Sequence, residues 1–503
     1  MTHRLRLLLA ALAGAGAAFG QEPYNLPILM LAGMAVIVWL LHAEASTRRA
    51  AVIGWAFGFG YFAHALQWIV SPFMVDVARH GWMAPFALVF LAAGLALFWG
   101  VAFWVARKLS VQSWALILTW PAAELVRAYI FTGFPWAMPA QVTVDKLLGA
   151  QLATFGPYVL NLIFVAAAVA LMAKGGWKRT ILPRAFAGIV ALALLLNVGD
   201  QNINAAIDAD HSSEGEPDRP VVRLVQPNAT QRDKWDPVKI PIFFQRQLDY
   251  TAAPATDPDT PPELTIWSET AIPWALDLAG NALKEIATAG GETPVTLGVQ
   301  RRTDTRYFNS MVVLDTQGTP AQLYDKHHLV PFGEYMPLGD LLANFGIYGL
   351  AARAGNGYSS GPGAKLLDFG PLGKALPLIC YEAVFAHDVN GATERPDFLI
   401  QITNDAWFGN GAGPKQHLAQ ARMRAIEQGL PLARSANTGI SAMIDPYGRV
   451  TASLPLNTAG FLDAALPRPL PPTLYSRTGD LPFALLLLLA IGTATWHRLR
   501  AKP

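Results

Sequence analysis

Three short runs each place a chemically capable residue directly after an apolar, strand-like stretch. Leu264-Thr265-Ile266-Trp267-Ser268 leads into Glu269, Leu323-Tyr324-Asp325 into Lys326, and Leu376-Pro377-Leu378-Ile379 into Cys380. A thiol becomes a strong nucleophile once a neighbouring base takes its proton, and a fixed cation stabilises the oxyanion that follows its attack on a carbonyl. A carboxylate, an ammonium and a thiol on three strand ends are therefore the parts of a nucleophilic site. Each also has a plainer reading. Free cysteine packs well as a small hydrophobe, and a lysine among carboxylates can be a structural ion-pair cluster. Cys380 is the only cysteine, which excludes a disulfide within one chain.

Those strand ends need a framework. Strand-like runs at 221–226, 264–268, 295–300, 310–315, 375–380, 398–403 and 441–445 are interspersed with amphipathic stretches at 276–289 and 416–429. The alternation predicts an α/β domain with largely buried strands, whose functional side chains sit at strand ends and in the loops that follow. The preceding tract 208–220, with Ser-Ser-Glu-Gly-Glu-Pro at its centre, has linker composition.

Upstream of that linker the composition changes. The whole chain is 52% hydrophobic and 15% charged, against roughly 25% charged in an ordinary soluble domain. The excess lies in apolar stretches at 5–20, 24–42, 51–70, 84–106, 113–131, 149–173 and 183–199, with one more at 481–497. Basic residues fill every second loop: Arg4 and Arg6, Arg48 and Arg49, Arg107 and Lys108, Lys174 to Arg184, and Arg498 to Lys502. Lys and Arg excess marks the cytoplasmic side, so eight spans with both termini inside are expected, and the α/β domain faces away from the cytoplasm. The first stretch also resembles a cleavable signal peptide, with Ala18-Phe19-Gly20 before Gln21. Retention is favoured because the next apolar run begins almost at once. The expected organisation is a helical bundle over 1–200, a linker over 201–220, a catalytic domain over 221–475 and a final span over 481–497.

Other features are open to more than one reading. Glu124 and Arg127 lie one turn apart inside the fifth apolar stretch, as a structural ion pair or as a polar contact for a lipid headgroup or an extramembrane loop. The glycine-rich tract 355–363 lacks a phosphate-loop Lys-Ser/Thr ending, which argues against nucleotide binding and for mobility over a site mouth. His327 and His328 invite a metal reading, but adjacent strand residues point to opposite faces and no spaced donor set completes a centre, so no metal is expected.

Taken together, Trp267-Ser268-Glu269-Thr270-Ala271-Ile272-Pro273, the block from Tyr324-Asp325-Lys326-His327-His328 through Phe332-Gly333-Glu334-Tyr335, Ile379-Cys380-Tyr381-Glu382 and Asn404-Asp405-Ala406-Trp407-Phe408-Gly409 resemble the nitrilase superfamily. With the surrounding apolar stretches, the resemblance narrows to its membrane-embedded branch, the apolipoprotein N-acyltransferases of the bacterial inner membrane, and covers nearly the whole chain. It implies an αββα-sandwich, nitrilase-like domain inserted between seven N-terminal helices and one C-terminal helix, on the periplasmic side. It implies that Cys380 is the nucleophile, Glu269 the base, and Lys326 with the Tyr381 N–H the oxyanion donors. Glu334 orients Lys326, Glu382 supports the same network, and Trp235 contacts substrate as a gate or acyl-chain wall. The implied substrates are a phospholipid donor, typically phosphatidylethanolamine, and an apolipoprotein bearing an S-diacylglyceryl cysteine. No cofactor and no nucleic acid enter. A membrane-tethered hydrolase would use the same triad with water. A transporter or receptor with an inactive ectodomain would explain the spans but not the triad.

Overall fold

The structure, a computed structural model, describes residues 1–197, 219–337 and 357–500. The linker at 201–218, residues 198–199 of the expected seventh span and Gly355 and Asn356 of the glycine-rich tract lie outside them. The chain forms two compact units, one of Met1–Glu214, Gly411–Ala419 and Pro472–Pro503, the other of Gly215–Asn410 and Gln420–Pro471.

Among the described residues the second unit contains twelve strands: β1 Val221–Gln226, β2 Pro262–Trp267, β3 Val295–Arg302, β4 Tyr307–Leu314, β5 Pro320–Asp325, β6 Leu367–Asp368, β7 Lys374–Ile379, β8 Phe398–Thr403, β9 Leu432–Ala436, β10 Ser441–Ile444, β11 Val450–Leu454 and β12 Gly460–Ala465. They form two six-stranded mixed sheets, ordered β12-β1-β2-β3-β4-β5 and β11-β10-β9-β8-β7-β6. In the first, β1, β2 and β3 run parallel; in the second, β7, β8 and β9 do.

Period-two alternation explains how the sheets stack. Val222 and Leu224 of β1, Leu264 and Ile266 of β2, and Met311 and Val313 of β4 share one apolar cluster with Ala375 and Ile379 of β7 and Ile400 and Ile402 of β8. The alternate residues Val225, Trp267, Val312 and Leu314 face the other way, against Phe244 and Leu248 of helix Ile240–Ala252 and Leu283 and Ile286 of helix Gly280–Gly290. The central strands of the first sheet are thus buried on both faces, while its edge strands β5 and β12 are partly exposed. Burial on both faces also suits the near-continuous apolar run of a parallel strand such as β7.

In the first unit every expected apolar stretch holds a helix: His3–Ala17, Pro27–His42, Thr47–Ala65, Ala84–Leu109, Leu116–Tyr129, Leu152–Leu171, Trp177–Leu195 and Leu481–Arg500. Small residues let the first and third approach closely. A Cβ on Gly60 would stand 2.0 Å from the Ala11 carbonyl oxygen, and one on Gly14 would meet that of Phe57. By length and hydropathy alone, three helical stretches among the described residues are able to cross a bilayer: Val77–Leu109, Leu147–Leu171 and Leu481–Arg500. The others are shorter or carry charge: Thr47–Ala65 opens with Arg48 and Arg49, and Leu116–Tyr129 contains Glu124 and Arg127.

That last pair is fully engaged within its own unit. Arg127 bonds Glu124 at 2.6 Å and the Trp136 carbonyl at 2.9 Å, and Trp99 Nε1 donates to the other carboxylate oxygen at 2.6 Å. Both side chains are 1% exposed, which leaves no face for a headgroup and favours the structural reading. Segment 411–419 is a contribution that hydropathy does not reveal. Gln416 Oε1 accepts from Trp68 and Trp136, its Nε2 donates to the Glu22 and Ala65 carbonyls, and its own carbonyl accepts from Gln141.

Candidate active site

Glu269 stands two residues beyond β2, and Lys326 and Cys380 each stand one residue beyond a strand, after β5 and β7. Because the first two strands belong to one sheet and the third to the other, face-to-face packing brings the three side chains together. All are buried, at 6%, 1% and 6% exposure. The chain turns sharply where two of them sit: Cys380 itself has φ of +52°, and Thr270, after Glu269, has +47°. Positive φ at non-glycine residues is a strained conformation that surrounding structure must hold, and it concentrates at functional sites.

The carboxylate is positioned from both sheets. Asn309 Nδ2 of β4 donates to Glu269 Oε1 at 2.7 Å, and the Asn404 N–H, just after β8, donates to Oε2 at 2.8 Å. Lys326 Nζ bonds Glu334 Oε2 at 2.8 Å and lies 3.9 Å from Glu269 Oε1. Asn309 also donates to Glu334 Oε1 at 3.0 Å, and the Val330 N–H donates to its Oε2 at 2.9 Å. Glu334 therefore bonds the lysine directly.

The electrostatics follow from burial and mutual proximity. Burial raises Glu269 above the ordinary carboxylate value; Lys326 opposes this and Glu334 adds to it. Burial alone would lower the Lys326 amine, but Glu334 and Glu269 outweigh it and keep it charged. Burial also pushes the Cys380 thiol well up, with Glu269 raising it further and Lys326 lowering it. The resting thiol is thus protonated beside a carboxylate of raised basicity and a permanent cation. That arrangement suits attack in which the base takes the proton as the sulfur bonds to carbon.

Glu382 is fully buried and pins the nucleophile turn. Its Oε2 accepts from the Ile379 N–H at 2.7 Å, and its Oε1 from Tyr324 OH at 2.7 Å and the His327 N–H at 2.8 Å. Tyr381 is buried in the turn Cys380–Val384, its ring packed edge-on to Phe385. Trp235 is 36% exposed and lines a cleft with Lys234, Phe243, Phe244, Ser268, Ile272 and Pro273 that adjoins the Glu269 backbone.

The histidines meet partners that strand alternation did not anticipate. Helix Ala386–Val389 brings His387 and Asp388 to His328, with donor atoms within 4.8 Å of one another. Asp388 bonds His328 Nδ1 at 2.7 Å and is held below the usual carboxylate range by His327 and His328, against the effect of burial. The glycine tract also differs from the expected mobile cover. Its described part is tied down, with N–H groups of Tyr358, Ser359 and Gly361 bonded to the carbonyls of Glu334, Tyr307 and Lys326. Glycine at 361 is required there, since a Cβ would stand 2.2 Å from the Asp325 carbonyl oxygen.

Asn309, Thr403 and Gln401 are site residues that the sequence did not single out. Thr403 hydrogen-bonds the thiol, and Gln401 Nε2 donates to the Cys380 carbonyl at 3.1 Å. Asn309 and Gln401 lie inside strands with no adjacent marker to distinguish them from core, whereas Thr403 ends β8 directly before the Asn404–Gly409 run.

Two stacked mixed sheets with a carboxylate, lysine and cysteine on converging strand ends define a carbon–nitrogen hydrolase domain, and residues 222–470 match that family, described as "Carbon-nitrogen hydrolase". Residues 13–170 match "Apolipoprotein N-acyltransferase N-terminal domain". An apolipoprotein N-acyltransferase from Rhodopseudomonas palustris is 36% identical over 97% of this chain and 94% of that protein, and one from Bradyrhizobium diazoefficiens is 38% identical over 99% and 96%. The chain belongs to the apolipoprotein N-acyltransferase family. Among solved structures, an amidase from Nesterenkonia sp. aligns at 17% identity over 54% of this chain and 97% of that one, with a TM-score of 0.39.

Proposed function

We propose that this protein moves the sn-1 acyl chain of a phospholipid, with phosphatidylethanolamine as the favoured donor, to the α-amino group of an S-diacylglyceryl cysteine at an apolipoprotein N-terminus. The supporting observation is the meeting of Glu269, Lys326 and Cys380 in one buried site of a chain from this family. Cys380 Sγ attacks the ester carbonyl as Glu269 takes the thiol proton. The oxyanion is stabilised by Lys326 and the Tyr381 N–H, each such donor commonly contributing ~3 kcal/mol. Collapse breaks the ester C–O bond, Glu269 returns the proton to the departing lysophospholipid, and a thioester remains. The acceptor amine then attacks the thioester, Glu269 accepts its proton, and the thiol is regenerated as the amide forms.

The proposed setting is a bacterial inner membrane crossed by eight spans, with the catalytic domain over 221–475 on the periplasmic side. Both substrates are bilayer lipids, which gives a reason for joining such a domain to apolar helices. The tethered hydrolase differs only in its second nucleophile, and a half-reaction separates the two. A thioester awaiting a bulky acceptor must be shielded from water. Phospholipid alone should acylate Cys380 to near one equivalent, with a burst of lysophospholipid, and then stall. A diacylglyceryl-cysteine peptide should restart turnover and yield the amide, and Cys380→Ala should form no thioester. Continuous fatty-acid release at the same rate without peptide would overturn the assignment in favour of the hydrolase.

A further inference from the structure

Lys234 is a buried ammonium whose hydrogen bond goes to a backbone carbonyl, that of Glu269, at 3.1 Å. Among the described residues no carboxylate lies within ion-pairing distance of it; Asp233, next in sequence, is paired with Lys239. A buried cation without an ion pair is costly, and a counter-charge that reaches it relieves that cost. It lines the cleft flanked by Trp235, and two more polar atoms there are buried without partners: Ser268 Oγ and Gln247 Oε1, in residues that are each 1% exposed. Trp235, Phe243, Ile272 and Pro273 supply apolar walls, which strengthen any ionic contact made between them.

We propose that this cleft holds the phosphodiester of the acyl-donor lipid, with Lys234 Nζ and Ser268 Oγ donating to its oxygens. The inference rests on the acyl-transfer reading above and adds where the donor is gripped. A glycerophospholipid carries its phosphate on the same glycerol as the sn-1 ester. The phosphate of a bound donor therefore lies within a few bonds of the ester that Cys380 attacks, and Ser268 directly precedes Glu269. Burial draws the Lys234 amine down to about 8, with Glu269 pulling the other way, and an arriving anion would favour its charged form further. Gln247 Oε1 is placed to accept from a hydroxyl or ammonium on the headgroup.

The test compares two donors on the full-length protein in detergent: phosphatidylethanolamine, and p-nitrophenyl palmitate, which has no phosphate. The measured quantity is the ratio of kcat/KM for Cys380 acylation by the two. Hydrogen bonds to a charged group are strong enough that Lys234→Met should lower this ratio roughly tenfold or more, Ser268→Ala by less, and Lys234→Arg should restore most of it. An unchanged ratio in Lys234→Met overturns the proposal, because a lysine that merely supports Glu269 affects both donors alike. A second measurement needs no variant. Glycerophosphoethanolamine should inhibit wild-type acylation by p-nitrophenyl palmitate, whereas glycerol should not. Absence of inhibition, or equal inhibition by inorganic phosphate, overturns the lipid-phosphodiester site. Failure of the wild-type protein to form a thioester with either ester counts instead against the acyl-transfer reading.

Discussion

Lys326 donates to Glu334 at 2.8 Å while Glu269 stands 3.9 Å from the same ammonium. One carboxylate holds the cation, and the other remains available to take a proton. The division has an electrostatic consequence, since Glu334 raises Glu269 by like-charge repulsion and keeps the lysine from closing on it.

Replacing Glu334 with Gln should therefore act through Glu269. With the like charge gone and Lys326 able to close on Glu269, the base's pKa falls. With deprotonated Glu269 as the active form in the proposed mechanism, the acid limb of the acylation rate against pH moves to lower pH. The plateau drops as well, because a less basic carboxylate accepts the thiol proton less readily. A pH profile of single-turnover acylation checks this, and an unmoved acid limb in Glu334→Gln would remove the coupling.

A second titration bears on stability. His327 sits against Glu382 at 2.8 Å and Asp388 at 3.7 Å. Burial lowers its pKa, but hydrogen bonds to Asp388 and Glu382 outweigh that and raise it to about 10. Its unfolded value is ~6.5. A group raised on folding contributes stability that is fully present below the unfolded value and is lost as pH rises through the folded one. The melting temperature of His327→Asn should therefore lie below wild type by the largest margin at pH 6 and converge with it above pH about 10. A margin that stays constant across that interval would show that packing, not charge, is what His327 supplies.

The strand ends were readable because an apolar run marks a buried strand and chemistry sits just beyond it. Glu269, Lys326 and Cys380 all follow that pattern. Elements whose sequence lacks such contrast were missed. β11 at Val450–Leu454 is half exposed, and β9 at Leu432–Ala436 carries Arg434 in its middle, fully buried against Asp405 at 2.6 Å. Nothing local says that an arginine will be buried when its partner lies on another strand end. For the same reason Asn309 was invisible. Its two carboxylate partners come from loops 40 and 25 residues away, and only the folded chain brings them together. Gln416 illustrates the opposite difficulty, a polar residue in an amphipathic stretch that proves to be a buried hub.

Glu124 and Arg127 yield a prediction about folding. Removing one partner of a buried, hydrogen-bonded pair leaves the other charge uncompensated, at a cost of roughly 3–5 kcal/mol. Glu124→Gln should lower the melting temperature in detergent sharply, and adding Arg127→Met should recover part of the loss through coupling. The KM for donor lipid in whatever protein folds should be unchanged. A raised KM with an unshifted melting temperature would revive the headgroup role.

The topology prediction follows from where charge sits around the helices. Arg48 and Arg49 open one helix, Arg107 and Lys108 close another, and His497, Arg498 and Arg500 occupy the last turn of Leu481–Arg500. If basic ends stay in the cytoplasm, the residues around Arg179 and the C-terminus share one side, and the catalytic domain lies on the other. A reporter active only outside the cytoplasm should work when fused at His211 or Pro471 and fail at Arg179 or Pro503. Leu481–Arg500 is the decisive helix, being 20 residues long and apolar enough to cross. An active reporter at Pro503 together with one at Pro471 would mean that this helix lies along the membrane surface, and the eight-span arrangement would fall.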